Sequence, residues 1–219
     1  MKINVKKDVL SRQNRVAAGN RARFEGAGAF TVNLMSSPGA GKTMLLEQTI
    51  TALQKDFKIA VIEGDLATDR DAERLRRLGV QTVQINTVGG CHLNAEMIAR
   101  ELAAFDLEQT DMLFIENIGN LVCPSGYDLG QHRKVALLST PEGNDKIPKY
   151  PVMFRRTDLT VVNKADLLPY VDFDVNRAKE DLRNINPAAG FLSVSAKTGD
   201  GMDDWISWLK REAEQCLNR

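Results

Sequence analysis

Cysteine and histidine are scarce in this chain: Cys91, Cys123 and Cys216 are its three cysteines, and 219 residues contain two histidines. So few cysteines, odd in number, exclude a disulfide framework and leave thiols or metal ligands. Charge of one sign is not in excess, since Lys+Arg and Asp+Glu both number 29. That balance, with aromatics at 6%, argues against a basic or stacking platform, so no nucleic-acid partner is expected. Long hydrophobic runs are missing too. Nothing approaches the roughly 18 apolar residues of a membrane span, and the start, "MKINVKKDVLSRQNR", is charged throughout, unlike a signal peptide. A cytoplasmic protein with no membrane partner is expected.

The remainder has the composition of a soluble globular domain, 43% apolar and 26% charged, and is long enough for a sizeable core. Residues 1–25 place Val5, Val9, Leu10, Val16 and Ala17 among many polar residues, a helical segment with a narrow apolar stripe. From residue 26 to 219, apolar β-rich runs alternate with helical stretches: "AFTVNLM", "GKTMLLEQTITALQ", "KIAVIEG", "DRDAERLRRL", "VQTVQIN", "HLNAEMIARELAAF", "DMLFIEN". Later come "VALLST", "LTVVNKA", "NRAKEDLRNI", "GFLSVSA" and "MDDWISWLKREAEQCL". This predicts an α/β domain, a mostly parallel sheet flanked by helices. "DRDAERLRRLG" reads as a solvated helix face, with Asp71 as a first-turn acid. The polar 119–150 segment is expected to carry functional loops.

"VNLMSSPGAGKTMLLE" sets a glycine-rich loop between a strand and a helix. Against the phosphate-loop pattern G-x-x-x-x-G-K-S/T, Ser36 stands at the first glycine while Gly41, Lys42 and Thr43 fit. Backbone N–H groups from Gly39 and Ala40 through Thr43, in a loop opened by Pro38, which has no N–H of its own, can surround a phosphate. Lys42 would reach the β/γ-phosphates and Thr43 would ligate Mg²⁺. "VVNKAD" ends another strand. Its Asp166 can accept both guanine N1–H and the N2 amino group, which adenine cannot match, with Asn163 and Lys164 shaping the pocket. "SVSAKTG" supplies Ser195, Ala196 and Lys197 as a second base-contacting loop. In this order, each at a strand end, these motifs predict GTP/GDP binding. Glu116, in "LFIENIGNL", and Asp65, in "AVIEGD", are the carboxylates expected to hold Mg²⁺ or orient the attacking water. For Asp65, helix capping is the competing role. Lys42, Asp65 and Glu116 make up the candidate catalytic set. Lys146 and Lys149 read as surface lysines in preference to phosphate contacts across a dimer.

"TVGGCHLNAEM" puts Cys91 beside His92, and Cys123 follows Glu116 by seven residues. A cysteine at a helix N-terminus is expected to have a lowered pKa and to bind metal as thiolate. Three such ligands leave a tetrahedral or square-planar ion open to water, exchange or completion across a dimer. A reactive thiol and two buried neighbours remain alternatives at this point. Cys216 reads as packing.

"SSPGAGKT", "EGD", "GGCHL", "ENIGNLVCP" and "NKADL", in that order, resemble the HypB hydrogenase-maturation GTPases, over essentially residues 25–219. The related UreG urease-maturation GTPases have a Cys-Pro-His motif, whereas Cys91 and His92 are adjacent here. The resemblance implies a phosphate-loop NTPase of the dimerising GTPase class, slow GTP hydrolysis, and a homodimer formed with nucleotide. It implies Zn²⁺ or Ni²⁺ on Cys91, His92 and Cys123, near the dimer interface, and Mg²⁺ on Thr43, Asp65 and Glu116. It further implies nickel delivery to a nickel–iron hydrogenase large-subunit precursor, with a HypA-type nickel chaperone as partner. Residues 1–30 contain neither Cys nor His, so the N-terminal nickel-binding clusters of some members have no counterpart in that stretch. The expected function is a GTP-hydrolysing metallochaperone. A GTP-controlled assembly scaffold with a purely structural zinc site is the alternative.

Overall fold

The alternation read from the sequence is realised as seven strands and eight α-helices in a computed structural model, which describes residues 5–65, 69–87 and 89–217. The strands are β1 (Phe30–Ser36), β2 (Ile59–Asp65), β3 (Gln81–Asn86), β4 (Met112–Glu116), β5 (Arg133–Ser139), β6 (Leu159–Asn163) and β7 (Gly190–Ser193). They form one parallel sheet in the order β3-β2-β4-β1-β5-β6-β7. The chain therefore runs out to one edge through β2 and β3, returns through β4, and fills the other side with β5 to β7. All strands share one direction, so their carboxyl ends open on the same edge, where ligands of such sheets bind.

The helices are α1 (Val5–Ala27), α2 (Lys42–Leu53), α3 (Arg70–Arg76), α4 (Ala95–Glu101), α5 (Lys146–Lys149), α6 (Pro151–Phe154), α7 (Val175–Ile185) and α8 (Met202–Leu217). Because side chains alternate across a strand, each strand feeds two cores. On one face Val32, Leu34, Val61 and Phe114 pack with Leu45, Leu46 and Ile50 of α2 and Trp205 of α8. On the other, Ile62, Leu113 and Ile115 meet Phe24 of α1 and Ile98 of α4, while Met35, Ala136 and Val162 meet Phe154, Ala178 and Leu182. Burial on both faces explains the near-continuous apolar runs of β1, β2 and β4. The Trp205 indole also donates to Thr49 Oγ1 at 2.8 Å, joining α8 to α2.

The N-terminal helix continues to Ala27, and side chains are described from Ser11 onward. Val5, Val9 and Leu10 of the expected stripe lie outside them. Ala17, Asn20 and Phe24 form the buried face, spaced three and four apart as a helix requires. Asn20 Nδ2 reaches the carbonyls of Ala95 (2.9 Å) and Leu129 (3.0 Å). Gly130 permits this approach: a Cβ there would lie 2.6 Å from the Ala17 carbonyl oxygen. Among the described residues, no helix is long and apolar enough to cross a membrane.

Candidate functional site

β1 ends at Ser36 and α2 begins at Lys42, and the turn between them closes at Gly41, with φ 95°. A Cβ on Gly41 would sit 2.6 Å from Asn163 Nδ2, so both conformation and space demand glycine. Lys42 Nζ donates to Ser36 Oγ at 2.9 Å, curling the ammonium back over the loop. Thr43 Oγ1 donates to Glu116 Oε1 at 2.9 Å. Ser37 Oγ donates to the Glu142 carboxylate, and Gly119 packs so close to Pro38 that a Cβ would lie 2.9 Å from its Cα. The loop is thus fixed from several sides.

A cleft of about 480 Å³ opens above it, running from Gly39, Gly41, Lys42 and Thr43 to Asn163, Lys164, Asp166 and Lys197. Asn163 spans the two ends: its Nδ2 donates to the Ala40 carbonyl (3.0 Å), and its Oδ1 accepts from Ala196 N–H (3.0 Å). Lys164 adopts a left-handed φ of 61° and donates from Nζ to the Gly39 carbonyl at 2.7 Å. Asp166 Oδ1 accepts from the fully buried Ser195 Oγ at 2.6 Å, which fixes that carboxylate in the wall of the cleft. "N-K-x-D" and "S-A-K", separate in sequence, form one wall.

The acidic corner holds more than the sequence indicated. Glu63 and Glu116 are register partners on β2 and β4, and alternation places Asp65 on the same face as Glu63. Glu63 is 3% exposed and Glu116 4%, and each has one buried oxygen, Oε2, without a hydrogen-bond partner. Burial, then the neighbouring carboxylates led by Glu116, pushes the Glu63 carboxyl up to about 8. Burial pushes Glu116 up to about 7 against the opposing pull of Lys42 and Thr43. A smaller cavity of about 220 Å³ touches Lys42, Glu63, Asp65, Asp71 and Glu116. Glu63 went unnoticed because its partner lies 53 residues away across a sheet, although the alternation in Glu63-Gly64-Asp65 was a usable signal. Asp71 and Arg74 also line the main cleft. The solvated-face reading of "DRDAERLRRLG" is therefore corrected at Arg74, which grips Glu47 through Nε (3.0 Å) and Nη2 (2.7 Å) and bonds Asp71 at 3.0 Å.

Beside this corner, the ligand atoms of Cys91, His92 and Cys123 lie within 4.8 Å of one another. Cys91 Sγ is 3.6 Å from His92 Nδ1. The His92 ring stacks on Tyr127 with centroids 4.0 Å apart, and burial lowers its pKa. All three ligands are half-buried. The helix expected from His92 starts only at Ala95, because Asn94 caps it and accepts from Met97 N–H at 3.0 Å. Cys91 and His92 therefore stay on an irregular loop. Cys123 precedes a short 3-10 turn, Pro124–Gly126, and Asn120 Oδ1 fixes its approach by accepting from Val122 N–H (2.7 Å) and Cys123 N–H (3.1 Å). The lowered pKa expected of a helix N-terminus is not found at Cys123: its hydrogen bond with Cys91, then burial, raises the thiol. Cys216 packs against the core on α8, its thiol raised by burial.

Residues 30–193 match the family described as CobW/HypB/UreG, nucleotide-binding domain. The hydrogenase maturation factor HypB of Azotobacter vinelandii is 50% identical over 96% of this chain and 69% of its own length. The crystal structure of HypB from Helicobacter pylori in complex with nickel superposes with a TM-score of 0.89 at 42% identity, covering 93% of this chain and 96% of that one. That of HypB from Archaeoglobus fulgidus gives 0.88 at 40% identity, over 93% and 100%. A phosphate-loop nucleotide-binding fold, a relative matched over 69% of its own length and two solved structures matched nearly end to end agree with the sequence resemblance. The chain belongs to the HypB family of hydrogenase maturation factors.

Proposed function

We propose that this chain hydrolyses GTP and uses the nucleotide cycle to deliver nickel during hydrogenase maturation. The observation that carries the reading is the adjacency of two sites. Three soft ligands converge on a loop that begins at Glu116, and Glu116 is bonded to Thr43 of the phosphate loop. The nickel-bound HypB of Helicobacter pylori, 42% identical, supports nickel as the cargo held by Cys91, His92 and Cys123.

In this reading Pro38, Gly39, Ala40, Gly41, Lys42 and Thr43 cradle the phosphates, and Lys42 stabilises negative charge on the transferring phosphoryl oxygens. Asp166 selects guanine, with Asn163, Lys164, Ser195, Ala196 and Lys197 forming its wall. The acidic corner fits Mg²⁺, since buried carboxylate oxygens of Glu63 and Glu116 have no other partner and hard cations take oxygen ligands. Thr43, Asp65 and Glu116 would hold the ion, with Glu63 alongside. Mg²⁺ there supplies neutralising charge to the phosphate oxygens. In this reading Lys42, Asp65 and Glu116 are the catalytic set, with Asp65 orienting water.

Two thiols and one imidazole leave a fourth metal position open. Val122, beside Cys123, is 62% exposed, which supports a homodimer meeting near this loop in the nucleotide-bound state. Residues 1–25 form the N-terminal helical segment ahead of the GTPase domain at 26–219; the segment packs on that domain through Ala17, Asn20 and Phe24, and its outward face offers a docking surface to a HypA-type nickel chaperone. A hydrogenase large-subunit precursor receives the ion.

The test is Ni²⁺ and Zn²⁺ affinity, with molecular mass, in GDP and in a non-hydrolysable GTP analogue. Cys91→Ala and Cys123→Ala serve as controls. A nucleotide-dependent affinity or metal preference that both variants abolish is the expected result. Zinc held equally in both states would replace delivery by a structural site.

A further inference from the structure

Glu116 and Asn117 are neighbours at the carboxyl end of β4, so their side chains leave the sheet on opposite faces. Glu116 points with Phe114 toward α2 and bonds Thr43. Asn117 points with Leu113 and Ile115 toward the α4 side and is 1% exposed. Its carboxamide makes three hydrogen bonds, two of them to segments distant in sequence. Oδ1 accepts from Leu93 N–H at 3.1 Å and from Ile118 N–H at 3.0 Å, using both lone pairs. Nδ2 donates to Asn33 Oδ1 at 3.2 Å, and the backbone N–H donates to the Leu34 carbonyl at 2.9 Å.

Leu93 directly follows His92, and its side chain is clamped in turn. It is fully buried, and a Cβ on Gly64 would approach it to 2.9 Å, leaving the Cys91-His92 loop little freedom to move without Leu93. Ile118 leads into Gly119, packed on Pro38 of the phosphate loop, and Asn120, whose side chain orients Cys123. One buried carboxamide therefore holds both limbs of the metal cluster, at a residue adjacent to the carboxylate bonded to the phosphate loop.

We propose that Asn117 is the positioning residue that relays occupancy of the nucleotide cleft to the Cys91–His92–Cys123 cluster. The proposal rests on the functional reading above. Movement of the 116–119 backbone toward phosphate shifts the acceptor that Leu93 N–H and Ile118 N–H share, so the Cys91-His92 loop and the Cys123 loop move together. The role differs from simple packing, because the carboxamide sets the dependence of one site on the other and touches neither ligand.

The experiment compares the full-length protein with Asn117→Leu, similar in size but without an acceptor, and Asn117→Asp, which keeps the acceptor. Asn117→Ser, too short to reach Leu93, serves where the leucine variant fails to fold. The readout is the ratio of Ni²⁺ dissociation constants measured with Mg-GDP and with a non-hydrolysable Mg-GTP analogue. Couplings between sites are typically roughly 5- to 150-fold. Asn117→Leu or Asn117→Ser is expected to bring the ratio to within about twofold of one, with Ni²⁺ still bound, while Asn117→Asp retains the dependence. An unaltered ratio in Asn117→Leu, or in Asn117→Ser where that variant replaces it, overturns the relay and leaves the functional reading standing. A ratio of one in the unsubstituted protein overturns both.

Discussion

The nucleotide cleft and the metal cluster are neighbours built in opposite ways. Lys42, Thr43, Glu116, Asn163 and Ser195 are each at most 9% exposed, and each is tied to another segment by a side-chain hydrogen bond. Cys91, His92 and Cys123 are half-buried on loops, oriented by an Asn120 turn, a ring stack on Tyr127 and the cap of a short helix. A buried polar network fixes geometry because breaking any one bond strands its partners. A half-exposed cluster can change shape at lower cost. Under the proposed function the difference assigns roles within a switch: the nucleotide end would be the rigid reader, and the metal end the part that yields.

The largest effect expected comes from the rigid side. Lys42→Ala removes the buried ammonium at the phosphate end, and the rate of GTP hydrolysis should fall roughly 100- to 1,000-fold. Ni²⁺ binding without nucleotide should persist, because the cluster does not use Lys42. Steady-state hydrolysis with parallel metal titration checks this, and loss of both would show that the two regions are one folding unit. Asp166→Asn comes next. The carboxamide offers N–H where the guanine N2 amino group needs an acceptor, so GTP affinity should drop roughly 100- to 10,000-fold. A xanthine nucleotide, with a carbonyl at that position, should bind better than it does to the unsubstituted protein. Equal loss for both nucleotides would remove Asp166 from base selection.

Metal-side substitutions should be local. Removing the Cys123 thiol in Cys123→Ala should weaken Ni²⁺ by about 100-fold, at least as much as loss of an outer-shell partner. GTP-analogue affinity without metal should stay within about twofold, as for sites sharing no partner. Chelated wild-type protein should bind nucleotide as metal-free Cys123→Ala does, and loading it with Ni²⁺ should shift the ratio of GTP-analogue to GDP affinity by the same factor by which the two nucleotides shift the Ni²⁺ dissociation constant. A Ni²⁺-dependent shift of that ratio that persists in Cys123→Ala would break the division into reader and yielding part.

The two regions also differed in how far the sequence disclosed them. Lys42-Thr43 and Asn163–Asp166 sit in contiguous motifs whose spacing carries the proposed phosphate and base contacts, and the α/β alternation that holds them was visible as runs of apolar residues. What escaped depended on register and crossover. Glu63 meets Glu116 only because β2 and β4 are adjacent and aligned. Arg74 enters the cleft through its grip on Glu47, 27 residues away. Asn163 latches the phosphate loop by a bond to Ala40, 123 residues back in the chain. The approach of Cys123 to Cys91-His92 could be weighed from residue type, but the distance between them was set by loops without periodicity. Even the start of α4 was misplaced by three residues, since a mid-pattern Asn reads as a cap only when its side chain is seen turning back.

That cap supplies the smallest effect and the finest test of the comparison. Asn94 Oδ1 accepts from Met97 N–H at 3.0 Å and stops α4 from running back through His92. Asn94→Ala leaves a helix N–H unpaired and should cost about 1 kcal/mol of stability. For a domain of this size, that lowers the melting temperature by about 2–4 °C. The loss falls two residues from His92, so the released loop should sample more conformers and bind Ni²⁺ slightly more weakly. GTP affinity should not change, because no bond of the cleft passes through α4. Melting curves and both titrations on one preparation separate these terms. If metal affinity holds while the melting temperature drops, the Cys91-His92 loop is positioned by Leu93 and Asn117 and not by the helix that follows it. If nucleotide affinity falls with the metal's, the cleft draws on α4, and its rigidity is not a property of its own network.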